Sequence, residues 1–208
     1  MQRADLAAAV RSALQSCSPA STTSLLGSLA SGTADAYSDI DVQWVVPDAD
    51  FPSCLERGLA ALSSVREVES VRVDPDFRHS DRRRVLFVRF VGVPLFWRLD
   101  LAVCAASVAD DPRYDADNPG ARAADDEWSR PDSALANALG ALKAVLRERP
   151  ADARALLDRG FERIGVPERA TGVWPDDIRR LAHAAAAQDA GLADLAIRIT
   201  TLTDHELA

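Results

Sequence analysis

The strongest constraint on the fold is the alternation of apolar and polar side chains through residues 39–46. A period of two predicts a β-strand with one buried face, and it places Asp39 and Asp41 together on the other face. Two neighbouring carboxylates repel each other unless water or cations offset their charge, and hard divalent cations such as magnesium prefer oxygen ligands of this kind. The alternative is a solvent-exposed strand face that begins with an Asx turn at Ser38 and Asp39.

A third acid interrupts a second apolar segment, residues 97–103. Asp100 is flanked by Leu99 and Leu101, where an unpaired carboxylate is costly to bury, so it must face solvent or a charged partner. If this segment lies beside residues 39–46, three carboxylates meet at one place. Two metal ions held there would clamp an α-phosphate and stabilise a pyrophosphate leaving group. Asp100 would lower the pKa of an acceptor hydroxyl through the metal or take its proton.

A glycine-serine pair and a single lysine also stand out. A short apolar run ends at Gly27 and Ser28, where glycine lets a phosphate approach the backbone and free N–H groups at a helix start attract anions. A plain turn is the alternative for this pair. Lys143 is the only lysine in a chain whose other basic residues are arginines, and it lies in a helical pattern over residues 135–146.

Periodicity divides the chain into a mixed half and a helical half. Helices are predicted at residues 3–15 and 51–64, and strands at residues 39–46, 65–73, 85–91 and 93–103, the last two as a hairpin at Gly92. Four further helices are predicted at residues 132–149, 151–164, 175–188 and 192–202. The fold class is therefore α+β, a mixed sheet flanked by helices and followed by a helical domain. The predicted division is a catalytic domain (1–106), an acidic linker (107–131) and the helical domain (132–208).

Composition and charge narrow the function classes. The formal net charge of −8 argues against a protein that grips long nucleic acid, because such binding uses lysine and arginine to neutralise phosphates. A small or cationic acceptor fits this charge better. No apolar run is long enough to span a bilayer or to act as a secretory signal, so we expect a cytoplasmic protein that does not enter membranes. Three widely spaced cysteines predict buried free thiols rather than disulfides or a zinc site, at Cys17, Cys54 and Cys104.

The motifs taken together resemble those of the DNA polymerase β-like nucleotidyltransferase superfamily, in its small bacterial branch, which includes aminoglycoside adenylyltransferases and minimal nucleotidyltransferases. The resemblance covers roughly residues 24–103 and rests on Gly27, Ser28, Gly32, Ser38, Asp39, Asp41 and Asp100. It implies a mixed sheet flanked by helices, metal bound by Asp39 and Asp41 with Asp100 as the third acid, and phosphates held near Gly27 and Ser28. It also implies that a basic residue of the helical domain reaches the phosphates, for which Lys143 is the candidate; the alternative is a solvated lysine on an exposed helix face.

The sequence thus predicts an enzyme that transfers a nucleoside monophosphate to a hydroxyl of a small acceptor and releases pyrophosphate. The expected cofactor is Mg²⁺, with two ions, and ATP is the default donor among the nucleoside triphosphates. An antitoxin-type transferase that adenylylates a partner toxin and a non-catalytic nucleotide-binding module remain alternatives. A homodimer is a further possibility. The general base is Asp100 or an acid from the linker or the helical domain.

Overall fold

The chain forms two compact units, which a computed structural model describes for residues 2–208. The first unit is Met1–Trp128, which contains helices and a sheet, and the second is Ser129–Ala208, which is helical. This arrangement confirms the predicted α+β class. Within residues 2–208, no helix has both the length and the apolar character needed to cross a bilayer.

A five-stranded mixed sheet forms the centre of the first unit. Its strands are β1 (Thr22–Leu25), β2 (Ile40–Val46), β3 (Val68–Val73), β4 (Arg83–Phe90) and β5 (Leu99–Ala105). They lie in the order β1-β2-β5-β4-β3, in which β2 and β5 run parallel and the other neighbours run antiparallel. Because β5 lies in the middle of the sheet beside β2, the two acid-bearing segments are neighbours.

One face of this sheet packs against two helices, α1 (Arg3–Cys17) and α3 (Phe51–Val65). Val42 and Trp44 of β2 are fully buried in this core together with Val103 of β5. Gly58 allows α3 to approach the sheet, since a Cβ there would lie 2.8 Å from Cζ3 of Trp44. The alternate residues of β2 and β5, among them the acids, lie on the opposite face.

The predicted helices and the strands predicted at 39–46, 65–73 and 85–91 are present with small shifts at their ends. The strand predicted at 93–103 begins only at Leu99, because Pro94 and a 3₁₀ turn precede it. The predicted hairpin is formed by β4 and β5, whose connection contains Gly92 at φ 67° and a 3₁₀ turn at Leu95–Trp97. No strand is predicted at residues 22–24, yet Thr22–Leu25 pairs with β2 as the edge strand β1. β-branched threonines favour extended backbone, and an edge position leaves polar side chains accessible to water. A short helix, α2 (Gly27–Ser31), follows β1.

The second unit contains the four predicted helices, which are confirmed. They are α4 (Arg130–Leu146), α5 (Pro150–Arg163), α6 (Trp174–Gln188) and α7 (Ala193–Glu206). Prolines stand in the first turn of α4, α5 and α6, where the missing N–H costs nothing. α4 contacts each of the other three helices, so it forms the centre of this unit.

The last part of the first unit, which precedes Ser129, is joined to the rest of that unit by hydrogen bonds. The Ser80 hydroxyl donates to Asp115 at 2.5 Å, and the backbone N–H of Ala123 donates to the carbonyl of Pro75 at 2.8 Å. The boundary between the two units follows Trp128 and lies within the segment 107–131 that we assign to a linker. The division into domains 1–106 and 132–208 with that linker stays a prediction.

Candidate functional site

The register of β2 and β5 places two of the predicted acids side by side. Asp41 and Asp100 are direct partners across the parallel pair, as are Ile40 and Leu99 beside them. Neighbouring strands lie about 4.8 Å apart, and partners in register point to the same face of a sheet. Asp39 immediately precedes β2 and lies two residues from Asp41, so all three acids belong to one face at one end of the two strands.

A hydrogen-bonded turn leads the chain into the acid pair. The Asp35 carboxylate accepts hydrogen bonds from the Tyr37 backbone N–H at 3.0 Å and from the Ser38 hydroxyl at 2.8 Å. A guanidinium nitrogen of Arg3 donates to the Ser38 carbonyl at 2.9 Å, which ties the turn to α1. The backbone N–H of Ile40 donates to the carbonyl of Arg98 at 2.9 Å, so β2 and β5 are already joined at the level of Asp39.

Gly27 lies directly against the carboxylate of Asp41. A Cβ built on Gly27 would overlap Oδ2 of Asp41 and would lie 3.2 Å from its Cγ. Gly27 also has φ 57°, a left-handed conformation that side chains with a Cβ disfavour. The glycine of the glycine-serine pair is therefore required by both its conformation and its contact with Asp41. Ser28, the second residue of α2, is half-buried beside it.

The carboxylate of Asp100 is bound by an arginine that precedes it on the same strand face. Arg98 donates from Nε to Oδ1 at 2.6 Å and from Nη2 to Oδ2 at 2.7 Å, which is the two-point geometry of a strong charge-assisted pair. The same Nη2 lies 3.9 Å from Oδ2 of Asp39. The Arg98 side chain is only 16% exposed, and those of Asp39 and Asp100 are 29% and 20% exposed, so solvent screens these contacts less than it screens surface pairs.

A phenylalanine supports the arginine from the neighbouring strand. Phe87 of β4 is the register partner of Asp100, and the guanidinium carbon of Arg98 lies 4.6 Å from the centre of its ring. Arg72 of β3, the register partner of Phe87 on its other side, lies 4.1 Å from the same ring centre. One row of side chains therefore crosses four strands, in the order Asp41, Asp100, Phe87 and Arg72.

The three acids are of the ligand type that magnesium prefers, and Arg98 contacts two of them. Carboxylate oxygens are the ligands that this ion binds in proteins, and three of them come from adjoining backbone positions. In the part of the chain that the structure describes, however, no three His, Cys, Asp or Glu side chains are grouped so as to hold a metal ion. Both oxygens of Asp100 accept hydrogen bonds from Arg98.

Lys143 lies in the second unit, in α4, and is 8% exposed. The alternative of a solvated lysine on an exposed helix face is therefore wrong. Its predicted contact with phosphate stays a prediction.

The cysteines are free thiols, as predicted, although only two of them are buried. Cys54 and Cys104 are buried, whereas Cys17 is half-buried. Burial raises the pKa of the Cys104 thiol. Cys104 lies four residues after Asp100 in β5, on the same face of the strand.

Sequence reasoning missed Arg98 and Phe87 as members of the site. The signal for Arg98 was available, because it lies two residues before Asp100 and extended backbone places such residues on one face. Phe87 gave no signal, since its place beside Asp100 follows from the register of β4 and β5.

Comparisons with known proteins give a distant structural likeness and no match in sequence. Neither a protein-family profile nor a curated protein sequence matches the chain. Among solved structures, the chain is similar to a cytoplasmic RNA terminal U-transferase, with 17% identity and a TM-score of 0.37 over 74% of this chain and 45% of that one. The chain thus spans less than half the length of that protein. A likeness this distant adds nothing to the choice of donor or acceptor.

Proposed function

We propose that the protein is a metal-dependent nucleotidyltransferase that moves a nucleoside monophosphate, with ATP as donor, onto a hydroxyl of a small acceptor. The observation that supports this most directly is the pairing of Asp41 with Asp100 across adjacent parallel strands, with Asp39 at the same strand end. The proposed cofactor is Mg²⁺, held by Asp39, Asp41 and Asp100. When bound, the ion neutralises phosphate charge and orients the α-phosphate for in-line attack.

The reaction makes one bond and breaks one bond at the α-phosphorus. The acceptor hydroxyl oxygen bonds to the phosphorus, the bridging oxygen to the β-phosphate leaves with pyrophosphate, and the hydroxyl proton must be removed. Asp100 is the proposed proton acceptor, because it lies on the β4 side of Asp41 and therefore further from α2 than Asp41 does. Once Arg98 releases it, an ionised Asp100 carboxylate has a lone pair for that proton.

The phosphates are proposed to lie at the start of α2. Gly27 exposes its backbone there and brings α2 against the Asp41 carboxylate, so a phosphate next to Gly27 would be next to a metal ligand. Ser28 would donate its hydroxyl to a phosphate oxygen. Lys143 is proposed to contribute a positive charge to the same phosphates.

A pyrophosphate-release screen tests the proposal. Purified protein is supplied with each of the four nucleoside triphosphates, Mg²⁺ and pooled small acceptors, and pyrophosphate and labelled products are measured. We expect release with at least one donor and acceptor, and a loss of about 10³-fold or more in Asp39→Asn, Asp41→Asn and Asp100→Asn. Asp48→Asn is the matched control, since Asp48 follows the opposite end of β2.

The outcome of the screen separates the alternatives. Turnover that survives in folded Asp39→Asn or Asp41→Asn protein contradicts the metal role of these acids. Label that appears on a co-purified protein rather than on small molecules favours a protein-modifying transferase. Metal-dependent nucleotide binding without any pyrophosphate favours a regulatory module.

A further inference from the structure

The contact between Arg98 and Asp100 affects how the candidate site would bind a divalent ion. Both carboxylate oxygens of Asp100 accept from one guanidinium, at 2.6 and 2.7 Å. The arginine occupies two of the roughly four lone-pair sites of the carboxylate and places a positive charge beside the others, so both effects oppose binding of a cation there. The arginine therefore competes with any divalent ion for Asp100.

We propose that Arg98 is a positioning residue that holds Asp100 in an ion pair until a triphosphate draws the guanidinium away, so that metal and nucleotide are bound cooperatively. This inference rests on the proposed function, because it assumes that Asp100 is a metal ligand. Arg98 itself takes no part in the chemical step.

The surroundings of Arg98 favour a side-chain movement over a backbone movement. The carbonyl of Arg98 accepts the Ile40 N–H at 2.9 Å, which fixes its backbone to the start of β2. Its guanidinium lies over the Phe87 ring, with the carbon 4.6 Å from the ring centre, and cation–π contact tolerates sliding across the ring face. The ring contact by itself therefore does not fix the guanidinium at Asp100.

Charge explains why a triphosphate, rather than metal alone, completes the exchange. The guanidinium lies between two acids, 3.9 Å from Asp39 and in direct contact with Asp100, so a bare cation entering the site meets a positive charge. A triphosphate brings the cation together with phosphate oxygens, and these offer the guanidinium a second two-point partner. Linkage then requires nucleotide to strengthen metal binding by the same factor as metal strengthens nucleotide binding.

Replacing Arg98 tests whether it competes with a divalent ion for Asp100, and this test does not depend on enzymatic turnover. Mn²⁺ is used as the probe, and its binding to the full chain is measured by the loss of the free-ion electron paramagnetic resonance signal, in the absence of nucleotide. We expect Arg98→Gln to bind Mn²⁺ about tenfold more tightly than the wild type, as expected for loss of one partly screened positive charge and of the contact to Asp100. Arg98→Lys keeps the positive charge but loses the two-point contact with the carboxylate, and we expect Mn²⁺ affinity to rise about threefold.

The matched control is Arg72→Gln. Arg72 lies over the same ring, at 4.1 Å, and its loss removes the same charge from the same face of the sheet, but Arg72 belongs to β3, two strands from Asp100. Its Mn²⁺ affinity is expected to stay within about twofold of the wild type. The double variant Arg98→Gln/Asp100→Asn should not bind Mn²⁺ more tightly than the wild type, because the Asp100 carboxylate that Arg98 contacts is then absent.

The result distinguishes this inference from the proposed function. If folded Arg98→Gln binds Mn²⁺ no more tightly than the wild type, the competition is overturned, whatever the variant does in a transfer assay. If Arg98→Gln does not fold, as judged by circular dichroism, the same comparison is made with Arg98→Lys, and an unchanged affinity again overturns it. Tighter Mn²⁺ binding in a protein that releases no pyrophosphate supports the role of Arg98 and contradicts only the transferase proposal.

Discussion

At the scale of single residues, Gly27 links backbone conformation to the candidate chemistry. Its φ of 57° turns the chain from β1 into α2, and the missing Cβ leaves room for the carboxylate of Asp41. A side chain at this position would have to displace the backbone of α2 or rotate Asp41 away from its neighbours. The glycine therefore maintains the position of an acid that lies far from it in sequence.

Gly27→Ala should accordingly impair the site more than it impairs stability. We expect a loss of about 1 kcal/mol in unfolding free energy from the left-handed backbone, measured by urea denaturation, and at least a tenfold loss of Mn²⁺-dependent nucleotide affinity from the displaced Asp41. Gly32→Ala is the control, because Gly32 has φ 71° but no atom within 4 Å of an added Cβ. Equal effects of the two variants on nucleotide affinity would contradict the contact between Gly27 and Asp41.

The three acids were predictable from the sequence because each breaks a local rule. Asp39 and Asp41 place two like charges on one strand face, and Asp100 interrupts an apolar strand, which folding tolerates only with a specific partner. Their adjacency could be predicted only on the condition that the two strands are neighbours, since no local sequence pattern indicates that β5 lies between β2 and β4. Arg98 and Phe87 become members of the site only through that insertion.

At the scale of secondary structure, the start of α6 is held by a buried carboxylate. Asp177 accepts hydrogen bonds from the backbone N–H groups of Thr171 and Gly172, at 2.9 and 2.8 Å, and from Arg180 at 2.6 Å. Its side chain is 0% exposed. Burial alone would raise the pKa of Asp177, but the hydrogen bonds from Arg180, Thr171 and Gly172 outweigh it and hold the pKa below its usual value.

The lowered pKa of Asp177 predicts acid sensitivity of the helical unit. The unfolded chain binds this proton more readily than the folded chain, so the stabilisation is complete above the unfolded pKa of about 4 and is lost as pH falls through the lower folded pKa. At pH 7, Asp177→Asn should cost about 2 kcal/mol, since it removes the charged partner of Arg180. Thermal unfolding of wild type and variant, followed by circular dichroism from pH 7 to pH 3, should show curves that converge as pH falls. A difference that stays constant with pH would contradict this account.

Secondary structure was predictable from the sequence where buried apolar residues recur at a regular spacing, and it was missed where they do not. β2 alternates because one face packs against α1 and α3. The four C-terminal helices carry apolar residues that are buried against their neighbours. β1 has no such pattern, because it lies at the edge of the sheet and its residues alternate only between exposed and half-buried positions. Its pairing with β2, rather than its composition, makes it a strand.

At the scale of the whole molecule, the candidate groups are divided between the two units. Asp39, Asp41, Asp100 and Gly27 all belong to the first unit, whereas Lys143 belongs to α4 of the second. Metal binding and phosphate binding are therefore expected to respond differently to changes in the second unit. A buried lysine in a central helix is also unusual enough to require a specific anionic partner or a functional reason.

The variant Lys143→Met tests phosphate binding separately from metal binding. Methionine retains the apolar stem, but removal of the charge would leave any buried anionic partner uncompensated, so folding of the variant is verified first by circular dichroism. We expect Mn²⁺ binding without nucleotide to be unchanged and the affinity for a non-hydrolysable ATP analogue to fall about tenfold, because one positive charge is removed from the phosphates. Arg159→Met is the control, since it removes the same charge from an exposed position in α5 of the same unit. Nucleotide affinity that is equal in the two variants would exclude Lys143 from the phosphate site, and the acids of the first unit would then form that site with other cations.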